Sequence, residues 1–302
     1  METGTVHQIK KILDVLRMNS MIDPSEQTLL LAHTLQIDRS RLLSHPEQPL
    51  SKRDVQQFLS LLKRRQRHEP IAYILGEKEF FGHTFKVTSS TLIPRPETET
   101  LVEILLEEIS KNQDKDSVLL DIGTGSGNIV ISIALKQADK NVADKNYSLK
   151  CIAIDRSVRA LTVAKKNAIK HKVDHHIQFV HSNLLTSLPK NTAQSANTLF
   201  IAANLPYLSR DRYQSCTQDV REYEPKGALL AGKDGLDAYR MLFEQIQRRK
   251  EWEYKHLFAV LEIDPEQKTA IQTIIREQLP HTSVRFARDL SGRIRFAILE
   301  RN

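Results

Sequence analysis

Cysteine is scarce in this sequence, and Cys151 and Cys216 lie far apart, outside any CxxC or Cys/His spacing. This excludes a disulfide-framed secreted domain and a zinc site built on cysteine pairs, and the 11 histidines show no HExxH spacing. No segment approaches the roughly 18 uninterrupted apolar residues of a membrane span, and the start lacks the apolar core of a signal peptide. We therefore expect a cytoplasmic protein that neither enters a membrane nor binds a metal.

Charge of one sign does not dominate either, although 44 Lys and Arg against 37 Asp and Glu give a net charge of +7. Such an excess favours approach to an anionic partner. The basic residues are spread along the chain, and the one dense run, residues 63–68, ends a predicted helix where cations suit the helix dipole. We interpret this run as a solvated helix end, with a contact to the ribosome, RNA or an acidic protein surface as the alternative.

Helical signals fill the first part of the chain. Apolar residues recur at helical spacing at Ile9, Ile12, Leu13 and Leu16. Asp23 and Pro24 form an N-cap and an N1 proline, and Ser51 begins a further helix that ends before Pro70. Residues 1–75 are thus expected to form an all-α domain. Residues 76–94, with aromatic and β-branched side chains around Gly82, predict a β-hairpin linker to a domain over residues 95–302.

Strand and helix patterns alternate beyond residue 95. After a helix over 97–109, the predicted elements are a strand at 118–120, a helix at 129–136, a strand at 151–154, a helix at 158–170 and strands at 177–180 and 199–202. Residues 137–150 are polar and predict a surface loop. Strands at 257–263, 284–286 and 294–299 follow, the last two close enough to pair antiparallel. The alternation predicts an α/β fold with a mostly parallel sheet covered on both faces.

A glycine-rich turn, Asp121 to Asn128, stands between a predicted strand and a predicted helix. Glycines allow the backbone to turn tightly and approach a ligand, and the free N–H groups at the helix start supply donors. The spacing is G-x-G-x-G, and Asn128 occupies the last glycine position of the dinucleotide fingerprint G-x-G-x-x-G. The turn therefore predicts a nucleotide-like cofactor other than a nicotinamide. Asp155 ends the next strand, where a carboxylate can accept both hydroxyls of a ribose or cap a helix.

Asn204-Leu205-Pro206-Tyr207 directly follows a later predicted strand. The oxygen acceptors of this segment suit a planar amide as substrate. An amide nitrogen is a poor nucleophile, so a site that transfers a methyl group to it must bind both of its N–H groups and point the nitrogen at the methyl donor. Asn204 offers a side-chain carbonyl, Leu205 a backbone carbonyl and Tyr207 a flat surface. No strong base is required. A plain turn at the end of a strand is the alternative, which the cofactor motifs upstream disfavour.

With these motifs, PIAYILGEKEFFG, TLIPRPETE, DVREYEPKGALLAGKDGLDAYR and RDLSGRIRF make the sequence resemble the HemK/PrmC family of release factor glutamine methyltransferases from Glu69 onward. The resemblance implies a class I, Rossmann-like methyltransferase domain with a seven-stranded sheet. It implies that S-adenosyl-L-methionine is the cofactor and S-adenosyl-L-homocysteine the product. The implied reaction methylates the side-chain amide nitrogen (N5) of the glutamine in the Gly-Gly-Gln motif of a peptide chain release factor. We expect a monomer that needs no nucleic acid, with an RNA contact left open.

The resemblance also implies a set of site residues. Those expected to bind the cofactor are Gly123, Thr124, Gly125, Ser126, Gly127, Asp155, Asn183, Leu184 and Asn204. Those expected to act in catalysis and to bind the glutamine amide are Asn204, Leu205, Pro206 and Tyr207, with Arg95 and Glu97 beside them. The domain over residues 1–75 is expected to bind the release factor.

Two departures from the family pattern keep alternatives open. The family usually has NPPY, whereas Leu205 gives NLPY, a spelling similar to adenine dimethyltransferases of ribosomal RNA. Asn183-Leu184 replaces an acid followed by an aromatic residue, which removes a stacking partner for the adenine. The alternatives are an adenine-N6 methyltransferase acting on RNA or DNA, a ribosomal-protein glutamine methyltransferase, and an inactive adaptor that binds the cofactor or the release factor.

Overall fold

The structure is a computed structural model that describes residues 11–12, 22–112, 116–141, 149–194 and 196–302. Its contacts divide the chain into two compact units. The first contains Met1–Gly76 and Gln218–Tyr223, and the second contains Glu77–Thr217 and Glu224–Asn302. The predicted limits at residues 75, 94 and 95 stay a prediction.

The described helices of the first unit are α1 (Pro24–Leu35), α2 (Arg39–Ser44), α3 (Lys52–Gln66), α4 (Ile71–Leu75) and α9 (Gln218–Tyr223). Helix α1 begins as predicted, because the Asp23 side chain accepts from the Ser25 N–H and Pro24 occupies the first turn. Helix α3 begins with a capping box between Ser51 and Asp54. Leu30, Leu31, Phe58 and Leu62 belong to the buried core of this unit. Of the predicted N-terminal helical stripe only Ile12 lies within the described residues.

Two arginines of the basic run at residues 63–68 form ion pairs within this unit. Arg64 binds Glu69 at 2.5 Å, and Arg65 binds Glu26 at 2.7 Å. Both arginines are only partly exposed. These pairs support the interpretation of the run as a helix end.

The described helices of the second unit are α5 (Thr98–Lys111), α6 (Asn128–Asn141), α7 (Val158–Lys170), α8 (Arg210–Gln214), α10 (Asp237–Arg248) and α11 (Lys268–Gln278). Its strands are β1 (Glu77–Phe80), β2 (His83–Lys86), β3 (Ser117–Ile122), β4 (Leu149–Asp155), β5 (Ile177–His181), β6 (Thr198–Ala203), β7 (His256–Glu262), β8 (Ser283–Arg288) and β9 (Ile294–Arg301). Strands β1 and β2 form the predicted hairpin, and the other seven form one sheet in the order β5-β4-β3-β6-β7-β9-β8.

Strands β5, β4, β3, β6 and β7 are parallel, and β9 pairs antiparallel with both β7 and β8. Successive residues of a strand point to opposite faces, so Leu119 joins one buried cluster and Leu120 the other. Helices α5 and α6 contribute to the first cluster, and α10 and α11 contribute to the second. Apolar layers therefore cover both faces of the sheet, as the alternation predicted.

The loop predicted over residues 137–150 is wrong at both ends. Helix α6 continues to Asn141, and β4 begins at Leu149, while residues 142–148 lie outside the described residues. The helix continues because Lys, Gln and Ala form helices readily, so a polar stretch does not by itself end one. Within the described part of the chain, no helix is long and apolar enough to cross a membrane.

Candidate active site

A cavity of about 1150 Å³, its open mouth included, is lined by the residues that follow β3, β4, β5 and β6. The chain fills one side of the sheet through β4 and β5 and then crosses back to place β6 on the other side of β3. Loops diverge at such a reversal and leave a crevice at the carboxyl ends of the strands. The topology therefore forms the cavity where the predicted motifs meet.

The glycine-rich turn after β3 forms the floor of this cavity. Gly123, Gly125 and Gly127 adopt φ values of 77°, 56° and 82°, which favour glycine. A Cβ on Gly123 would lie 3.1 Å from the Leu205 side chain, so the turn and the loop after β6 pack closely. Gly123, Thr124, Gly125 and Ser126 line the cavity. Gly127 is not among the lining residues; a Cβ there would lie 2.8 Å from the Ile131 side chain.

Asp155 lies at the cavity wall and also ties the turn in place. Its carboxylate accepts from the Gly125 N–H at 2.9 Å and the Ser157 N–H at 2.8 Å. Burial raises the pKa of Asp155, and these backbone donors partly offset that effect. The cap of α7 is Ser157, whose side chain accepts from the Ala160 N–H, so Asp155 does not cap this helix, and its place at the cavity wall leaves a ligand contact as its role.

Asp121 was not predicted as a site residue, but its buried carboxylate binds both the glycine-rich turn and the start of α6. One carboxylate oxygen accepts from the Thr124 hydroxyl at 2.7 Å and the Val130 N–H at 3.3 Å. The other oxygen is buried and has no partner among the described residues. Burial raises the pKa of Asp121 to about 7, which leaves it partly protonated at neutral pH.

Asn183 and Leu184 line the same cavity after β5. Asn183 is exposed, and Leu184 is buried with a left-handed φ of 54°. Few leucines adopt this conformation, and strain of this kind concentrates at ligand sites. The structure thus brings both residues to the cavity, where Leu184 offers an apolar contact and no ring to stack on.

Asn204, Leu205 and Pro206 line the cavity after β6. The Asn204 Nδ2 donates to the Thr98 hydroxyl at 3.1 Å, while its Oδ1 is buried without a described partner. Leu205 is buried against the glycine-rich turn. Tyr207 is not a lining residue, and its hydroxyl donates to Glu262 Oε1 at 3.1 Å. The free acceptor of Asn204 is the group that an incoming N–H requires.

Arg95 lines the cavity, but Glu97 does not. The Arg95 guanidinium donates to buried Glu224, which also accepts from the Ile93 N–H at 3.1 Å. Glu224 comes from the segment around residues 219–240, which had no predicted role. Gly235 in the same segment packs on the carbonyl oxygen of Tyr207, where a Cβ would lie only 2.1 Å away. This segment therefore contacts both the loop before α5, which contains Arg95, and the loop after β6, which contains Asn204 and Tyr207.

Glu262 is a third buried acid that prediction missed, after Asp121 and Glu224. It ends the apolar strand β7 and accepts from the hydroxyls of Thr98 and Tyr207. Burial raises the pKa of Glu262. The signal was available, because Asp121 and Asp155 lie at the carboxyl ends of β3 and β4 in the same pattern.

These residues fit S-adenosylmethionine. The glycine turn brings backbone without side chains to the cavity, Asp155 can accept from ribose hydroxyls, and the apolar wall includes Leu184 and Leu205. Within the described residues, no group of three His, Cys, Asp or Glu side chains could bind a metal.

Comparison with known proteins identifies related sequences for both parts of the chain. Residues 13–76 match the family described as PrmC N-terminal domain, and residues 113–276 match the family described as Methyltransferase domain. The release factor glutamine methyltransferase of Nitratidesulfovibrio vulgaris is 34% identical over 278 residues, which cover 91% of this chain and 87% of that protein. The protein of the same name from Enterococcus faecalis is 35% identical over 263 residues, 87% of each chain.

A solved structure of similar fold is the human Mettl16 catalytic domain in complex with an RNA hairpin of the MAT2A 3′ untranslated region. It has a TM-score of 0.53 and 13% sequence identity, and the match covers 97% of both chains. At this identity the likeness concerns the fold alone. It confirms the predicted α/β fold with a mostly parallel seven-stranded sheet, and the match of residues 113–276 identifies this part as a methyltransferase domain.

Proposed function

Because the chain belongs to the release factor glutamine methyltransferase family, we propose that it transfers a methyl group from S-adenosyl-L-methionine to a peptide chain release factor. The acceptor is the side-chain amide nitrogen (N5) of the glutamine in the Gly-Gly-Gln motif. The observation that carries the proposal is Asn204 Oδ1, which is buried at the cavity wall and has no partner among the described residues.

The chemistry of an amide explains why this acceptor matters. The nitrogen lone pair is delocalised into the carbonyl, so the site must orient the group and not simply contact it. Asn204 Oδ1 accepts from one N–H of the glutamine, and the main-chain carbonyl of Leu205 accepts from the other. Pro206 shapes the turn, whereas Tyr207, which does not line the cavity, acts through the hydrogen bond from its hydroxyl to Glu262. The proton released from the amide passes to water, and no side chain acts as a strong base.

The cofactor is held by the loops that follow β3, β4, β5 and β6. The residues assigned to it are Gly123, Thr124, Gly125, Ser126, Gly127, Asp155, Asn183, Leu184 and Asn204. When bound, S-adenosylmethionine supplies an electrophilic methyl group and leaves as S-adenosylhomocysteine. Gly127 acts through the close packing of α6 and α7, because it does not line the cavity.

The helical first unit binds the release factor in this proposal, and Arg95 lies beside the glutamine. Support comes from the match of residues 13–76 to the PrmC N-terminal domain. Arg95 is fixed by Glu224 at the cavity wall, whereas Glu97 stands apart from the lining residues. We further propose that the protein works as a cytoplasmic monomer and requires no nucleic acid, which sedimentation of the purified protein and assays without RNA would test.

The decisive experiment measures methyl transfer from radiolabelled S-adenosylmethionine to a purified release factor. Parallel reactions contain the factor with Gln→Ala in its Gly-Gly-Gln motif, a ribosomal protein mixture, and ribosomal RNA. We expect label on the wild-type factor alone and its loss in Asn204→Ala. Asn191→Ala is the matched control, because Asn191 is exposed and does not line the cavity.

Other outcomes point to the alternatives. Label on RNA but not on the factor would refute the proposal and assign Leu205 to an adenine pocket. Label on a ribosomal protein would move the substrate to another glutamine. Cofactor binding without transfer to any of these substrates would identify an inactive adaptor.

A further inference from the structure

Three side chains from different elements form a chain of hydrogen bonds behind Asn204. The Asn204 Nδ2 donates to Thr98 Oγ1 at 3.1 Å, and Thr98 Oγ1 donates to Glu262 Oε2 at 2.7 Å. Tyr207 donates its hydroxyl to Glu262 Oε1 at 3.1 Å. Thr98 begins α5 and Glu262 ends β7, so the two elements flanking the site meet at this carboxylate.

The direction of these bonds follows from the number of protons each group has. An ionised carboxylate only accepts, and a threonine hydroxyl has a single proton to donate. Once Thr98 donates to Glu262, it can only accept from Asn204. An asparagine amide has one accepting end and one donating end, which have nearly the same shape. Thr98 must therefore receive the NH₂ end of Asn204, and the Oδ1 end must face away from it.

The remaining position of Oδ1 agrees with this argument. It is buried and has no hydrogen-bond partner among the described residues, and Asn204 lines the cavity. A buried acceptor without a partner costs stability, so its retention suggests that a ligand supplies the missing N–H. In the opposite orientation, Nδ2 would face the N–H groups of the glutamine, and two donors would meet.

We propose that Glu262 is a positioning residue that, through Thr98, fixes which end of the Asn204 amide faces the substrate. This inference rests on the proposed function, because it concerns recognition of an amide N–H donor. Glu262 acts through Thr98 and Tyr207, and no contact between it and the substrate is required. The same carboxylate anchors both ends of the Asn204–Tyr207 segment, one end through each oxygen.

The surroundings of Glu262 distinguish this arrangement from an ordinary buried ion pair. Glu262 is only 1% exposed. The positive charge of Arg295 lowers the pKa of Glu262 without a direct ion pair, because the ion pair of Arg295 is with Asp289, at 3.5 Å. A buried carboxylate satisfied mainly by hydroxyl donors is expensive to keep. Its main-chain carbonyl is fixed as well, by the hydroxyl of buried Tyr239. Acids under such constraints concentrate at functional sites.

The test compares Thr98→Val, which has nearly the same shape but no hydroxyl, with Thr98→Ser, which keeps the hydroxyl. Steady-state methyl transfer to the release factor would be measured with both variants and with Glu262→Gln, whose amide can donate to Thr98 and reverse the chain of bonds. We expect kcat to fall by about 10-fold to 100-fold in Thr98→Val and Glu262→Gln. Thr98→Ser should restore most of the activity.

Thr162→Val provides the matched control, because the Thr162 hydroxyl is exposed and bonds only to its own helix at Val158. It should keep wild-type kcat and KM. The proposal is overturned if Thr98→Val keeps wild-type kcat, or if Thr98→Ser loses as much activity as Thr98→Val.

A second measurement does not depend on the substrate. NMR of the ¹⁵N-labelled protein would follow exchange of the Asn204 side-chain NH₂ protons, assigned by their absence in Asn204→Ala. We expect protection in the wild type and in Thr98→Ser, and its loss in Thr98→Val. Unchanged protection in Thr98→Val would refute the positioning role even if the wild type labels no release factor. Absence of transfer by the wild type with the expected exchange pattern would instead refute the proposed function alone.

Discussion

Replacing Gly127 with alanine should destabilise the second unit by more than its left-handed backbone explains. At φ 82°, an alanine costs about 1–2 kcal/mol relative to glycine. The added Cβ would also lie 2.8 Å from Ile131 Cδ1 and 3.1 Å from Ala164 Cβ. Ile131 is fully buried and cannot move into solvent, so overpacking adds about 1–3 kcal/mol. The expected total is therefore about 2–5 kcal/mol.

Urea unfolding followed by the fluorescence of Trp252, the single tryptophan, would measure this loss, because Trp252 lies in the second unit. Gly82→Ala is the matched control: Gly82 belongs to the same unit and has φ 73°, and nothing lies within 4 Å of its Cβ position. The control should lose only the conformational part, about 1–2 kcal/mol. Equal losses in the two variants would refute the packing argument.

Three further predictions concern the buried polar groups. Folding raises the pKa of Asp121 from 3.8 to about 7, so the folded protein binds this proton more tightly than the unfolded chain, and the free energy of unfolding falls as pH rises through that range. The free energy of unfolding of the wild type, relative to that of Asp121→Asn, should therefore decrease between pH 3.8 and about pH 7 in urea unfolding. A difference that stays constant with pH would contradict the shift. Arg95→Leu leaves Glu224 buried without its cation and should cost about 2–3 kcal/mol in urea unfolding, less than a fully buried pair because Arg95 is one-third exposed. Adding Glu224→Gln should recover part of that loss, and no recovery would argue against the pair. Tyr239→Phe removes the donor to the Glu262 carbonyl and should cost about 1–2 kcal/mol, seen as a lower Tm, whereas an unchanged Tm would contradict the bond.

Much of the cofactor side of the site could be predicted from local sequence. Gly123 to Gly127 and Asp155 each follow an apolar strand, and parallel strands bring their carboxyl ends to one edge. The packing of Leu205 beside this turn also follows from the adjacency of β3 and β6. Local patterns suffice here because topology alone brings the segments together.

The contacts behind Asn204 could not be predicted in the same way, although the position of Glu262 at the end of an apolar strand could. Thr98 and Glu262 are 164 positions apart, and Arg95 and Glu224 are 129 positions apart. Such contacts depend on how helices pack on the sheet, and no short motif encodes that distance. The helix end at Asn141 was missed for a different reason, because polar residues with good helix propensity resemble a loop in composition.

The first unit is made from two separate stretches of chain, and this affects how it can be exchanged or transplanted. Helix α9 belongs to it although both neighbouring segments belong to the second unit, and the Tyr223 hydroxyl donates to the Arg67 carbonyl at 2.7 Å. A chimera that takes only the N-terminal segment from a relative would pair it with a foreign α9. A single recombination breakpoint therefore cannot transfer both stretches of this unit without also transferring the part of the second unit between them, Glu77–Thr217.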